Sequence, residues 1–203
     1  MIRDLDDTLQ QLLETRAPAG SELASADISF DIPDADWRGG LDTLTVNCYL
    51  YDIRENRELR TNEQLIHRSA NGNNAVRRPA PVRIDCAYCV TAWSPATAES
   101  VLEEHRLLSQ ILRLLLQNPV IPNDVLQGSL VNQIPPYPTV IATPEGMKNQ
   151  PEFWGALDQQ LKPSLSYVIT LALHIDDEPI EADLPPVVAE IVIEEDHMSN
   201  APA

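Results

Sequence analysis

Apolar residues recur at helical spacing near the start of the chain. Ile2, Leu5, Leu9, Leu12 and Leu13 fall on one face of residues 2–16, and Pro18-Ala-Gly20 ends the pattern. Ala26 to Ile32 reads as a short strand stopped by Pro33, followed by a turn-rich loop, 33–42, around Trp37. The spacing then changes to two. From Thr43 to Ile53, Leu44, Val46, Cys48 and Leu50 point one way; Thr45, Asn47, Tyr49 and Tyr51 point the other. A second strand is predicted over Val82–Trp93, with Val82, Ile84, Cys86, Tyr88 and Val90 on one face. The long polar segment between them, 54–81, holds Asn71-Gly-Asn-Asn74 and Pro79-Ala-Pro81. Connections of that length are usually functional or disordered.

A longer helix follows. Ser94 suits an N-cap and Pro95 a first helical position. Val101, Leu108, Ile111, Leu112 and Leu115 supply its apolar stripe, and Asn118-Pro119 stops it. The Pro-rich stretch 119–144 carries two short strand candidates, Ser129–Ile134 and Thr139–Thr143. Asn149 and Pro151 open a short helix with Trp154, Leu157 and Leu161 on one face, closed by Pro163. Leu165 to Ile175 alternates cleanly and reads as a strand. An acidic linker, 176–186, leads to a β-prone run of Val187, Val188, Ala189, Glu190, Ile191, Val192 and Ile193. Residues 194–203 read as disordered. The pattern predicts an α+β fold in which a mixed, largely antiparallel sheet packs against two or three helices. It predicts one domain over 1–176 and an acidic, Pro-containing extension over 177–203.

Composition narrows the function classes. The 203 residues carry 31 acids against 14 bases, a formal net charge of −17. Like-charge repulsion argues against nucleic acid and anionic lipid as partners. No apolar run approaches the ~20 residues that span a bilayer, so membrane insertion is not expected. The acids at Asp4, Asp6 and Asp7 do not fit a secretory leader, which implies synthesis in the cytoplasm. Seventeen prolines against seven glycines point to stiff connections. Three cysteines, an odd count without a leader, suggest reduced thiols.

Little in the sequence points to catalysis. Cys86-Ala-Tyr-Cys89 has metal-pair spacing, but strand positions three apart face opposite sides of a sheet. Glu103-Glu-His105 lacks the paired histidines of a zinc-protease helix. Ser94, Ser129 and Ser164 lack a Gly-x-Ser-x-Gly elbow, and no Gly-rich phosphate loop is present. No catalytic residue, metal site or cofactor is therefore expected. A small-ligand enzyme with His105 and a nearby carboxylate as acid and base stands as an alternative, and it requires a concave pocket holding both.

The charge distribution says more. Seven of the fourteen basic residues lie between 54 and 83, and all seven are arginine: Arg54, Arg57, Arg60, Arg68, Arg77, Arg78 and Arg83. After Lys162 there is no lysine or arginine, while acids accumulate from Asp176 to Asp196. One reading is a solvated loop and a solvated tail. The other is a bipolar subunit whose basic hairpin meets the acidic tail of a neighbour, head to tail. The run 187–193 also has two readings. It completes its own sheet, or it adds as a strand to another subunit, as a module docking on one partner would.

An ordered set of motifs adds a family. Phe30-Asp-Ile-Pro33, Tyr51-Asp-Ile-Arg-Glu-Asn56 with Glu58-Leu-Arg60, Val90-Thr-Ala-Trp-Ser94, Glu104-His-Arg-Leu-Leu108, Phe153-Trp154 and Lys162-Pro-Ser-Leu-Ser-Tyr167 occur in one order. Together they resemble the cap, or tail-terminator, family of extracellular contractile injection systems, which includes the antifeeding prophage and the Photorhabdus virulence cassette. The likeness runs from about residue 2 to about residue 176. Cys89 departs from it where a larger aliphatic is expected, and the tail beyond 176 matches no pattern. The resemblance implies a tail-terminator-like fold and a homohexameric ring that sits on the last layers of the inner tube protein and the sheath protein. The subunit would belong to a phage tail-like particle, a class that includes released ones. Trp37, Tyr51, Asp52, Arg54, Glu55, Asn56 and Arg60, with Arg77 and Arg78, are the candidate subunit or tube contacts. Val187, Val188, Ile191, Val192 and Ile193 are the candidate strand added to the sheath. Asp52, Arg54 and Glu55 could equally form a turn held by local salt bridges.

Overall fold

The computed structural model describes residues 1–61, 63–68, 75–131, 136–142, 147, 149–175 and 180–182, with side chains left aside at 64–68, 75–78 and 180–182. The chain divides into two compact units. One comprises Met1–Arg60 with Pro81–Ile175; the other comprises Thr61–Ala80 with the segment from Asp176 onward.

In the first unit, helix α1 (Ile2–Arg16) precedes a short strand β1 (Asp27–Ser29), helix α2 (Ala35–Gly39) and strand β2 (Thr45–Glu55). The unit resumes with strand β5 (Val82–Trp93), helix α3 (Ser100–Gln117), strand β6 (Thr139–Ile141), helix α4 (Gln150–Ala156) and strand β7 (Leu165–Leu173). Its five-stranded sheet has the order β1-β2-β5-β7-β6. β1 runs parallel to β2 and every other neighbouring pair is antiparallel. The mixed, largely antiparallel sheet with helices is the α+β class that the sequence predicts.

Period-two patterning gives the sheet two distinct faces. Val46, Cys48, Cys86, Tyr88, Val90, Tyr167, Ile169 and Leu171 belong to the main core with Leu5, Leu9, Leu12 and Leu13 of α1 and Leu107, Ile111, Leu114 and Leu115 of α3. All are buried, and each fully buried leucine contributes roughly 1.5–3 kcal/mol. Cys89, Trp93 and Trp154 form a second cluster, flanked by Trp37, Leu41, Tyr51, Phe153 and Leu157. The β2–β5 register breaks once. Leu50 faces Tyr88 and Asp52 faces Ala87, so Tyr51 is the extra residue of a bulge.

In the second unit, strands β3 (Gln64–Arg68), β4 (Ala75–Pro79) and β8 (Ile180–Ala182) form an antiparallel sheet in that order. The polar stretch 54–81 thus contains two paired strands. The sequence pattern did not predict them, because their apolar positions are few.

Other expectations are corrected. Ser94 does not cap α3. The helix begins at Ser100 after Glu99, which has φ 59°. Ser94 instead accepts a hydrogen bond from the Ala96 amide (3.1 Å), donates its hydroxyl to Glu103 (2.6 Å), and its amide donates to Glu104 (3.1 Å). Val101, placed above in the apolar stripe, is 57% exposed; the buried stripe is Leu107, Ile111, Leu114 and Leu115. Gly128–Leu130 is a 3-10 turn and not the start of a strand. Leu161 lies beyond the end of α4 and is exposed. Residues 33–42 hold the short helix α2, whose cap Asp34 accepts the Trp37 amide at 2.8 Å.

Two of the polar contacts that fix α1 lie in its first turns. Asp4 accepts the Ser129 amide at 3.0 Å and lies against Gly128, which has φ +54°. A Cβ at 128 would stand 2.5 Å from the Asp4 Cγ. Gly128→Ala is expected to lower the thermal midpoint, with about 1–3 kcal/mol from backbone conformation alone; an unchanged midpoint would show that the turn relaxes freely. The second contact is the Tyr88 hydroxyl, which donates to Asp6 at 2.8 Å. Burial, with Asp7 alongside, raises the Asp6 pKa above its ordinary value of 3.8 despite that bond. The folded state therefore holds this proton more tightly than the unfolded chain. The associated stability is present at low pH and is lost as pH rises through the raised value. Asp6→Asn removes the titration, so wild-type stability relative to the variant should fall between acidic and neutral pH. Denaturant midpoints across that range measure it, and a constant difference would refute the assignment.

Candidate functional site

The end of β2 and the turn after it carry most of the candidate contacts. The bulge at Tyr51 places Asp52 and Arg54 two residues apart on one side of the strand, where the Arg54 Nε meets the Asp52 carboxylate at 2.6 Å. The Arg60 Nη1 reaches Glu55 at 3.2 Å. Arg54 and Arg60 are nevertheless 76% and 65% exposed. Arg57 is exposed as well, and its carbonyl accepts the Arg60 amide at 3.4 Å. Isolated exposed pairs of this kind contribute little to stability.

Asn56 has a different part. Its amide donates to the Arg83 carbonyl at 2.8 Å, and its side-chain NH2 donates to both oxygens of Asp85 at 3.2 and 3.0 Å. Its Oδ1 accepts the Leu59 amide at 3.0 Å. Asp85 also accepts the Thr170 hydroxyl at 2.6 Å. One carboxylate therefore ties the turn to β5 and β7. Asp85 and Thr170 were absent from the candidate residues, since their only signal in sequence is a polar side chain on a strand.

Trp37 and Tyr51 belong to an aromatic row. Trp37 meets Trp93 edge-on at 5.5 Å, Trp93 lies 6.2 Å from Trp154, and Trp154 meets Phe153 at 5.5 Å. Phe153 continues the row to Tyr49 and Tyr51 at 6.2 and 6.0 Å. Arg38 and Lys162 stack over Trp93, with Lys162 Nζ 4.4 Å from the ring centroid. Lys162 also pairs with Glu104 of α3 in a largely buried bridge. Burial lowers the Lys162 pKa, and Glu104 opposes that shift. This pair was likewise missed from sequence.

The chemistry around His105 and the cysteines is quiet. His105 is exposed. The depression beside it, lined by Glu104, Leu108 and Lys162 among others, is too shallow to admit a water molecule. The neighbouring carboxylate of Glu104 is committed to Lys162 and the Ser94 amide. Cys86 lies in the main core and Cys89 in the aromatic cluster, on opposite faces of the sheet. Burial pushes the thiols of Cys48, Cys86 and Cys89 up to about 12, 11 and 12, which keeps them protonated and unreactive. Among the described residues, no group of three or more His, Cys, Asp or Glu could hold a metal ion, and no helix is long and apolar enough to cross a membrane.

Arg77 and Arg78 lie in β4, opposite Ile66 and Leu65 of β3. The candidate strand Val187, Val188, Ile191, Val192 and Ile193 lies outside the described residues.

With these surfaces defined, comparison decides the family. The family model described as the Pvc16 N-terminal domain matches residues 4–189. The chain belongs to that family. Its fold is similar to the sheath/tube terminator, in the extended state, of the extracellular contractile injection system PVC. That similarity has a TM-score of 0.63 and 22% identity, over 98% of this chain and 65% of the other. The tube-terminating cap of the anti-feeding prophage is similar at TM-score 0.60 and 22% identity, over 95% and 62%. At that identity the likeness is one of fold, and the chain spans somewhat less than two thirds of the length of either solved relative. No curated protein matches the sequence. The Pvc16 N-terminal domain family agrees with the ordered motifs read from the sequence.

Proposed function

We propose that this chain is a structural subunit that ends the inner tube and sheath of a contractile injection particle, and that copies of it form a ring, a homohexamer by analogy with the cap family. The observation that carries this reading is the fold shared over 98% of the chain with a sheath/tube terminator. A mechanism follows from the surfaces. A subunit that halts a polymer must bind its last layer and offer the next layer no equivalent site. The arginine-bearing turn with Trp37, Tyr51, Asp52, Arg54, Glu55, Asn56 and Arg60, together with Arg77 and Arg78, would make the subunit or tube contacts. The run Val187–Ile193 would add to a strand edge of the sheath. Chemistry at His105 has no part in this reading, because its neighbouring carboxylate is already engaged.

Electron microscopy of particles made with and without the protein tests it. Wild-type particles should carry this chain at one end, and particles lacking it should have open or overgrown tubes. Particle ends that never carry the protein would overturn the reading. Deleting residues 187–203 should leave a folded domain that loses sheath attachment, and unchanged capping would remove that role from the tail.

A further inference from the structure

The arginine-bearing turn and its complement stand at opposite ends of one strand. β2 has eleven residues, which separates its ends by roughly 30 Å at about 3.3 Å per residue. At its first residue, Thr45, β2 pairs with Asp27 of the edge strand β1. Between residues 27 and 42 five aspartates are exposed, including Asp36 and Asp42. At the other end stand Arg54, Arg57 and Arg60. Residues 1–44, ahead of β2, carry ten acids against three arginines, so the acidic end belongs to a strongly anionic stretch. The aspartates of the first end lie beyond a Debye length from these arginines, of which Arg54 and Arg60 pair within the chain with the adjacent Asp52 and Glu55.

We infer that the Arg54–Arg60 turn docks on the exposed aspartates of residues 27–42 of a second copy of this chain, head to tail. The inference rests on the ring proposed above and names its contact. It differs from pairing the arginines with the acidic tail, since both surfaces lie in the described first unit. Two features of the turn fit a docking element. Asp52 comes nearest to Arg54 at its Nε and Glu55 nearest to Arg60 at its Nη1, and both guanidinium groups stay largely exposed, within reach of a further carboxylate. The turn is also pre-organised. Asn56 holds its backbone through the Leu59 amide and fixes it to Asp85, which Thr170 secures from β7. Donors held by strands lose less freedom on binding than donors on a loose loop. The same contact repeated from copy to copy closes a ring when the rotation permits.

The test is self-association of the full chain by sedimentation velocity at low and high salt, run beside occupancy of particle ends by electron microscopy. Arg54→Glu with Arg57→Glu and Arg60→Glu should weaken association at least tenfold while the thermal midpoint stays close to wild type. Asp36→Lys with Asp42→Lys should do the same. A chain carrying both sets should recover association, because the surfaces are again complementary. Wild-type association should weaken as salt rises. A wild-type chain that stays monomeric at all concentrations, association insensitive to either reversal, or failure of the combined chain to recover would each overturn the inference. Intact, reversal-sensitive association by a chain absent from particle ends would overturn the cap reading alone.

Discussion

Lys162→Met is expected to destabilise the protein by about 3–5 kcal/mol, the usual consequence of leaving one member of a buried ion pair alone. Lys162 and Glu104 are both largely shielded from water, and Glu104 also accepts the Ser94 amide. Removing the ammonium leaves a carboxylate with one amide for company and strips the cation from Trp93, where it sits 4.4 Å from the ring centroid. Denaturant unfolding followed by tryptophan fluorescence reads the site directly, since Trp93 and Trp154 adjoin it. A second variant separates the buried charge from lost packing. Lys162→Met combined with Glu104→Gln keeps an acceptor for Ser94 and should return to within about 1–1.5 kcal/mol of wild type. Equal destabilisation of both variants would show that the lysine acts by packing alone.

Trp154→Ala should cost a similar amount, about 3–5 kcal/mol. The indole is 1% exposed and joins Trp93 to Phe153, so its loss opens a cavity in the middle of the aromatic row. Its Nε1 is buried without a hydrogen-bond partner among the described residues. Trp154→Phe therefore forfeits no hydrogen bond there and keeps much of the ring contact, so it should cost distinctly less, about 1–2 kcal/mol. Urea midpoints for the two variants check this. Equal costs would mean that the indole N–H has a partner of its own.

Much of this fold is legible in the sequence where two neighbouring positions settle the face. Val46, Cys48 and Leu50 in β2, and the even residues of β5, alternate as expected because each strand separates two dissimilar surfaces. Asn149 opens α4 as its sequence suggests. Legibility fails where a side chain has a stronger distant partner than its local role. Ser94 looks like a helix cap, but Glu103 and Glu104 reach back to it and the helix starts later. The candidate site divides the same way. The arginines stand out as a cluster of one residue type. The carboxylate that anchors their turn does not, because Asp85 joins Asn56 and Thr170 across 29 and 85 residues of chain. The Lys162–Glu104 pair spans 58 residues and leaves no periodic trace.

The extra residue at Tyr51 has a further consequence for how β2 is built. Upstream of it the odd-numbered side chains share the aromatic side of the sheet; downstream the even-numbered ones do, since Arg54 lies opposite Asp85. Were the strand to run through Tyr51 with no bulge, the parity of everything after it would reverse, sending Arg54 to the side of α1 and α3 and Glu55 to the side of Asp85. The irregularity at one residue thus sets which sign of charge the far end of this strand presents on each side of the sheet.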